Sequence, residues 1–395
     1  MNKQRARKEV NELTRRAFLG NAAVAALWAA LPSGTRAAEV KDMKWKKGHF
    51  QIHFINPSQN EAQLLILPDG TTVMIDCGSP NSAGYIKTAN PSCKPELDYF
   101  VLSHLHPDHD AGLPFLARKV DVRKVLDRDW PDYTTPGPVV DWCQPDVKRV
   151  KESYAVLQER CQTKIEKFRV GARDQIVPLH DPSVCTGFEA FNLCANGRFA
   201  RKDGTIGDIY ADRTSKSGDI AADENAVSIG HIFRYGKFSY YSAADFSGFH
   251  PDAREPSKYV RHEALLAEEL SPVDVAKLDH HGCNMSATII KALSARVWTV
   301  CQFMPKSHLS ERTFLRLIDR NVYAGERMVI PAFFAEHLAK LSPEQLADIP
   351  ELPRKHPVNI VIDVPPGGET YTVALGKREY TMTAPEVAFE FKSRG

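Results

Sequence analysis

The first half of the chain shows closely spaced apolar runs that predict β-strands. The runs at 49–55, 62–67 and 72–75 are each bounded by turn residues, and Pro68-Asp69-Gly70 predicts a hairpin between the last two. A further run at 98–103 is almost continuously apolar, which is typical of a strand buried on both faces. This half is therefore expected to form a sheet.

Strand and helix patterns alternate in the second half. The predicted strands there are 187–194, 226–233, 237–242, 273–278, 297–303, 359–364 and 370–375, and the predicted helices are 262–269, 286–294 and 311–319. Because strands dominate both halves and helices fall between and outside them, the expected fold is α/β (α+β). A four-layer αββα sandwich fits this pattern better than a doubly wound parallel sheet.

Composition changes along the chain suggest its organisation. We expect a main domain over residues 45–310 and a strand-containing extension over 311–395 that packs on it. Residues 117–207 are rich in Pro, Asp, Trp and Tyr and contain a helical pattern at 146–168. We interpret that stretch as a helical insertion that forms one wall of an active site.

The N-terminus, residues 1–37, has the pattern of an export signal. Arg15-Arg16-Ala17-Phe18-Leu19 opens an apolar run that ends at Leu31, shorter than the ~20 residues needed to span a bilayer. Thr35-Arg36-Ala37 then offers small residues of the kind a signal peptidase reads. The paired arginines resemble a twin-arginine signal, which predicts passage through that export machinery to the periplasm or the medium, without a transmembrane helix in the mature chain. The alternative is a membrane anchor or a basic amphipathic helix.

Charge and cysteine content narrow the function classes. The 395-residue chain carries a net charge of +2, and residues 1–37 hold seven Lys/Arg against two Glu, so +2 less +5 leaves about −3 for the remainder. A weakly acidic body gives no basis for tight, nonspecific nucleic-acid binding. The eight cysteines suit an oxidising compartment and contain no CxxC pair; Cys185 with Cys194 and Cys283 with Cys301 are two conceivable disulfides.

A dense group of metal-ligand residues follows the strand predicted at 98–103. Ser103-His-Leu-His-Pro-Asp-His-Asp-Ala-Gly112 places three imidazoles and two carboxylates within seven positions. His104 and His106 alternate and can share one metal ion, while Asp108 and His109 can turn toward a second. Nitrogen and oxygen ligands without cysteine suit zinc, with manganese or iron as substitutes.

This HxHxDH motif resembles that of the metallo-β-lactamase superfamily. The surroundings are similar to one branch, the hydrolase domain of ComEC-type competence proteins and its secreted stand-alone relatives. The shared motifs, in chain order, are the loop at 53–62, Pro68-Asp69-Gly70, Ile75-Asp76-Cys77-Gly78, Asn225 with Ser228, Tyr235-Gly-Lys-Phe238, Ala244-Asp245-Phe246 and His280-His281-Gly282.

The resemblance implies roles for residues far from the motif. Asp245 would bridge the two metal ions and His281 would complete the ligands of the second ion, leaving His280 to line the pocket. The roles of the two adjacent histidines could also be exchanged. Asp76 would brace the metal-binding loop by hydrogen bonding.

The chain departs from its relatives at three places, one of which is the opening loop, where Pro57, Ser58 and Asn60 replace glycines. Asn225 stands where many superfamily members have another histidine on the first metal ion, so that site would be completed by water, by Asn225 or by an insertion residue such as His180. Ala243-Ala244-Asp245 replaces a glycine-containing turn.

The resemblance implies an exported hydrolase with two divalent ions and a metal-bound hydroxide as nucleophile. Asp108 would orient the nucleophile and His280 would stabilise or protonate the leaving oxygen. The branch favours phosphodiester substrates. The alternatives are a lactone or β-lactam hydrolase, or a degenerate metal-binding scaffold without catalysis.

Overall fold

The structure is a computed structural model. It describes residues 36–38, 43–55, 60–133, 145–209, 224–246, 260–301, 309–330, 341–355, 358–377, 379 and 384–395. The strands in these ranges are β1 (Arg36–Ala38), β2 (Phe50–Phe54), β3 (Gln63–Ile66), β4 (Thr72–Ile75), β5 (Glu96–Leu102), β6 (Asp121–Asp127), β7 (Lys164–Lys167), β8 (Phe188–Ala195), β9 (Arg198–Ala200), β10 (Ile206–Asp208), β11 (Gly230–Tyr235), β12 (Phe238–Ser242), β13 (Val275–Lys277), β14 (Val297–Thr299), β15 (Met328–Ile330), β16 (Val358–Val364), β17 (Thr370–Lys377) and β18 (Val387–Lys392).

The helices lie between these strands and after them. They are α1 (Ser82–Ala89), α2 (Pro107–Asp110), α3 (Leu113–Lys119), α4 (Val147–Cys161), α5 (Val260–Glu269), α6 (Ala287–Leu293), α7 (Glu311–Ile318), α8 (Pro343–Ala347) and α9 (Glu351–Lys355). None of the helices in the described ranges combines the length and the apolar character that crossing a bilayer requires.

The strands of the described ranges form two sheets that pack face to face. The first has the order β1-β18-β17-β16-β2-β3-β4-β5-β6-β7, and the second has the order β10-β9-β8-β11-β12-β13-β14-β15. Phe50, Tyr99 and Val101 of the first sheet share one buried apolar cluster with Phe233 and Val275 of the second. This cluster is the inner core of the sandwich.

Helices cover both outer faces. Tyr85, Leu116 and Tyr154, from α1, α3 and α4, pack in a cluster with outward-facing residues of the first sheet. Leu266 and Ile290, from α5 and α6, do the same on the second sheet. The layers therefore run helix, sheet, sheet, helix, and the expected αββα sandwich is confirmed.

The stretch interpreted as an insertion supplies strands to both sheets. β6 and β7 extend the first sheet beyond β5 in parallel register, and β8 pairs with β11 in the second. The helix expected at 146–168 ends at Cys161, because Gln162 adopts a left-handed conformation and β7 follows. Residues 117–207 are thus an integral part of the sandwich as well as the carrier of α4.

The two termini of the described chain meet in the first sheet. β16 pairs with β2, and β17 and β18 continue outward to β1, so residues of the predicted C-terminal extension complete this sheet. Residues 1–35 of the predicted export signal lie outside the described residues, whereas 36–38 form β1 on β18. The seven cysteines in the described ranges are free thiols, so neither conceivable disulfide is formed.

The topology brings several strand ends to one edge of the sandwich. β4 and β5 are parallel neighbours in the first sheet, and β12 and β13 are parallel neighbours in the second. The carboxyl ends of the two pairs carry Asp76, the loop after Leu102, Asp245 and the His280-His281 turn. This edge is where the predicted metal-ligand residues converge.

Candidate metal centre

The metal loop, residues 103–112, is held rigidly at the end of β5. Pro107 starts α2 directly after His106, and the short helix turns the chain sharply. The backbone N–H of Glu61 donates to the carbonyl of Asp108 (2.9 Å), and that of Cys77 donates to the carbonyl of His109 (2.8 Å). Gly78 is required here, because a Cβ at that position would lie 1.8 Å from the Asp108 carbonyl oxygen.

His104 and His106 point the same way, as their alternation predicts. The Nε2 atom of His104 lies 3.2 Å from the Nδ1 atom of His106, and both side chains are buried. Burial, together with the neighbouring imidazoles His109 and His106, holds the pKa of His104 well below its ordinary value. A neutral imidazole is the form that binds a metal ion.

Four residues from three distant segments form a compact cluster. Ligand atoms of Asp108, His109, Asp245 and His281 all lie within 4.8 Å of one another. The Nε2 atom of His281 is 3.2 Å from Asp108 Oδ2 and 3.1 Å from Asp245 Oδ2, and His109 Nε2 is 3.2 Å from Asp245 Oδ1. Asp245 Oδ2 is also 4.0 Å from His104 Nε2, so this carboxylate lies between the cluster and the His104–His106 pair.

Unusual backbone conformations place Asp245 and His281. Ala244 has a φ of 49°, and His280, His281 and Gly282 have φ values of 47°, 52° and 74°. The turn before Asp245 is therefore made with an alanine in a strained, left-handed conformation. The consecutive left-handed residues aim His281 into the cluster, whereas His280 Nε2 stays 4.0 Å from Asp245 Oδ2, and its side chain is 19% exposed.

Each histidine of the cluster has a second carboxylate close to its Nδ1 atom. Asp76 Oδ2 lies 2.7 Å from His109 Nδ1, and Glu61 Oε2 lies 3.3 Å from His281 Nδ1. Asp76 also accepts hydrogen bonds from the backbone N–H and the hydroxyl of Ser103, at 2.8 and 2.7 Å. A carboxylate on Nδ1 leaves the Nε2 lone pair free to face a metal ion.

The electrostatics of the cluster are those of a cation site. Burial disfavours the charged form of His109, but the carboxylates of Asp245, Asp76 and Asp108 outweigh it and hold the pKa of this histidine well above its ordinary value. The pKa of His281 is likewise held well above its ordinary value, because the Asp245 carboxylate outweighs the opposing effect of burial. In the metal-free protein these imidazoles carry protons, and a divalent ion would displace them.

The donor set fits the ions that the fold implies. Asp245 Oδ1 accepts no hydrogen bond of good geometry although it is buried, and two imidazole nitrogens, His109 Nε2 and His281 Nε2, face each other at 3.4 Å. Imidazoles and carboxylates that converge in this way need positive charge among them, which protons supply in the metal-free protein and a divalent ion can supply in their place. Asp108, His109, Asp245 and His281 would hold one ion, and His104 and His106, with Asp245, would hold another.

Two candidates for completing the first ion's ligands lie in different places. Asn225 is buried in a 3₁₀ turn, Asn225–Val227, and its neighbour Glu224 accepts the backbone N–H of Leu105 within the metal loop (2.9 Å). His180 is far from that role, because its Nε2 contacts Asp98 (3.1 Å) at the start of β5, whereas the metal loop follows the end of that strand. The suggestion that His180 binds the first ion is therefore wrong.

Sequence reasoning missed two charged residues of the site. Glu61 was visible only as an acidic residue in the loop before β3, and Lys277 only as a lone cation in a buried strand. Both side chains are fully buried. A charged residue inside an apolar strand that leads directly into His280-His281 was the available signal for Lys277.

The layered α/β sandwich with a His/Asp cluster at its strand ends is the architecture of a metal-binding protein. Residues 61–183, less than half of the chain, match the family model described as the metallo-beta-lactamase superfamily. That part of the chain is therefore similar to the metallo-β-lactamase superfamily, and the two-sheet architecture with helices outside is consistent with the metallo-β-lactamase sandwich. No curated protein sequence matches the chain.

Several solved structures resemble the chain at low sequence identity. A protein described as a metal-dependent hydrolase from Parabacteroides distasonis is 12% identical, with a TM-score of 0.31, over 70% of this chain and 98% of its own. A motif mutant of a metallo-β-lactamase from Cronobacter sakazakii is 14% identical, with a TM-score of 0.28, over 57% and 75%. Rm3 metallo-β-lactamase is 16% identical, with a TM-score of 0.27, over 58% and 77%. At these scores no detail is transferred from them to this chain.

Proposed function

We propose that the protein is a metal-dependent hydrolase that acts on phosphodiesters at the edge where the two sheets meet. The observation that carries the proposal is the convergence of Asp108, His109, Asp245 and His281, with His104 and His106 beside them. Two divalent ions, zinc in the first instance, would supply Lewis acidity and lower the pKa of a water molecule toward neutrality. The resemblance to ComEC-type hydrolase domains supports the substrate class.

Asp108 would orient the attacking water. Asp108 is 24% exposed, the most accessible side chain of the cluster, and His109 and His281 hold its pKa well below its ordinary value despite burial. An ionised carboxylate at the mouth of the site can accept a hydrogen bond from the attacking water and so orient it.

His280 suits binding a substrate oxygen better than supplying a proton. Burial lowers its pKa to about 4, so at neutral pH it is an uncharged imidazole. In that form one ring N–H can donate a hydrogen bond to charge that develops on the substrate. Of the two roles expected for His280, this favours stabilising the leaving oxygen over protonating it.

The finer parts of the proposal rest on sequence features. Arg15-Arg16 with Phe18-Leu19 supports export through the twin-arginine machinery, with the periplasm or the medium as destination. A protein exported in this way crosses the membrane folded, which suits a chain that acquires metal ions before export.

A substrate panel on zinc-loaded and manganese-loaded protein tests the proposal. We expect hydrolysis of bis-(p-nitrophenyl) phosphate, no turnover of nitrocefin or of a lactone, and two metal equivalents per chain by elemental analysis. Asp108→Asn should abolish hydrolysis. Asp98→Asn is the matched control, because Asp98 is also a carboxylate in contact with a histidine but lies at the other end of β5.

The other outcomes are informative. Lactone or nitrocefin turnover without phosphodiester turnover would reassign the substrate to a cyclic ester or amide. Two bound ions without turnover of any substrate would favour a metal-binding scaffold. Protein that binds no divalent ion would refute the proposal as a whole.

A further inference from the structure

Lys277 is a fully buried lysine beside the metal centre. It ends β13, its side chain is 0% exposed, and its Nζ donates to the carbonyl of Ala244 at 2.6 Å. The same nitrogen lies 3.4 Å from Glu61 Oε1 and 3.7 Å from Asp245 Oδ1. Burying an ammonium group is costly unless opposite charges and acceptors surround it, and here they do.

The contacts of Lys277 reach the turns that aim the ligands. The carbonyl of Ala244 accepts the Lys277 ammonium and also the backbone N–H of His280, at 3.0 Å. One oxygen atom thus ties the strained turn before Asp245 to the left-handed turn that carries His281. Lys277 therefore fixes the relative position of two ligand segments.

Glu61 extends this arrangement to the other sheet. Its Oε1 accepts the side-chain amide of Gln63 at 2.9 Å and faces Lys277, while its Oε2 faces His281 Nδ1 at 3.3 Å. The lysine thereby holds the carboxylate that lies closest to Nδ1 of His281. Removing the ammonium group would leave Glu61 and Asp245 buried without their shared counter-ion.

The charge balance of the site differs between its metal-free and metal-bound forms. Glu61, Asp76 and Asp245 are almost wholly buried at this edge. Without metal, the Lys277 ammonium lies beside two of these carboxylates, those of Glu61 and Asp245, and supplies them with a positive charge. Divalent ions bring further positive charge to the same carboxylates. The Lys277 ammonium therefore repels these ions when they bind.

We propose that Lys277 is a built-in counter-ion that keeps the carboxylates and turns of the metal-free site in place, at the expense of weaker metal binding. It is a positioning residue, because it holds Asp245 and Glu61 rather than contacting substrate. The inference rests on the metal-binding part of the proposed function and is independent of the substrate.

The test compares Lys277→Met with wild type and with Lys291→Met, an exposed lysine on α6. Urea unfolding in EDTA measures the stability of the metal-free form, and competition with a chromophoric chelator measures zinc affinity. We expect Lys277→Met to be much less stable than wild type in EDTA, yet to bind zinc at least tenfold more tightly and to show a larger zinc-induced rise in Tm. Lys291→Met should match wild type in each measurement.

A second variant keeps the test decisive. Lys277→Met with Glu61→Gln removes one charge of each sign, and should regain stability in EDTA and lose part of the gain in zinc affinity. If the single variant is insoluble in EDTA, recovery of folded protein with zinc, or with the double change, supports the proposal. Failure of both to fold with zinc overturns it.

Unchanged or weaker zinc binding by Lys277→Met overturns the inference while leaving the proposed function intact. So does a loss of stability that is equal with and without zinc. A wild-type protein that binds no zinc refutes the proposed function, and the inference fails with it.

Discussion

Asp76→Asn tests how the site sets the tautomer of a metal-binding histidine. Asp76 has a φ of 61°, a conformation that asparagine also tolerates, so the backbone turn should survive the change. The amide oxygen of the new side chain can still accept the backbone N–H of Ser103, which lies 2.8 Å from Oδ1 of the native carboxylate. The amide nitrogen would then replace the oxygen that lies 2.7 Å from His109 Nδ1.

The change places the amide N–H of the new side chain opposite the N–H that His109 carries on Nδ1. To escape it, His109 must give up the proton on Nδ1 and keep the proton on Nε2, the atom that lies 3.2 Å from Asp245 Oδ1 within the cluster. That proton then occupies the position of a metal ion. Carboxylates that orient a ligand histidine typically contribute 10–100-fold in metal affinity, which is about 1.4–2.7 kcal/mol.

Zinc affinity measured by chelator competition should therefore fall by about 10–100-fold in Asp76→Asn. The stability of the metal-free form should change much less, because burial already raises the pKa of Asp76 and disfavours its charged form. Asp98→Asn is the control, since it alters a carboxylate–histidine contact at the far end of β5. Wild-type zinc affinity in Asp76→Asn, or an equal loss in Asp98→Asn, would refute the reasoning.

Three further predictions concern the turns and the core. Ala244→Gly should raise the free energy of unfolding by about 0.5–1 kcal/mol by relieving the positive φ, whereas Ala243→Gly, at a position without positive φ, should lower it, both measured by urea titration. His281→Ala should lose one zinc equivalent by elemental analysis, while His280→Ala should keep both. Burial lowers the pKa of His231 from 6.5 to about 3, so the neutral form contributes stability above pH 6.5 that is lost as the pH falls through this window. Relative to His231→Phe, wild type should lose about 2 kcal/mol between pH 7.5 and 5, and parallel pH profiles would contradict the assignment.

The sequence predicted the sandwich because strand signals are local. The hairpin around Pro68-Asp69-Gly70 and the buried strand before the metal loop follow from apolar runs and turn residues alone, and both are present as β3–β4 and β5. In the stretch 117–207 the polar texture concealed the strands β6 and β7 from the pattern. β7, Lys164–Lys167, is a short edge strand whose residues are half-buried or exposed, so it carries no apolar signature.

The site was predictable where its ligands are adjacent in sequence. His104, His106, Asp108 and His109 share one loop, and their spacing alone indicated a metal site. Asp245 and His281 required the resemblance, because no spacing rule joins residues more than a hundred positions apart. The choice between His280 and His281 depended on left-handed backbone conformations, which a His-His-Gly sequence does not specify by itself.

The residues that no pattern could indicate are those whose role arises from contact between the sheets. The first sheet supplies Glu61 and His109 to the site, and the second supplies Asp245, Lys277 and His281. Three close contacts cross that boundary: His109 to Asp245 at 3.2 Å, Glu61 to His281 at 3.3 Å, and Glu61 to Lys277 at 3.4 Å. Charged side chains at this edge therefore attract one another across the boundary between the two sheets, in addition to attracting a metal ion. A bound divalent ion would attract carboxylates and imidazoles of both sheets at once. Metal uptake should therefore strengthen the contact between the two sheets and stabilise the sandwich as a unit.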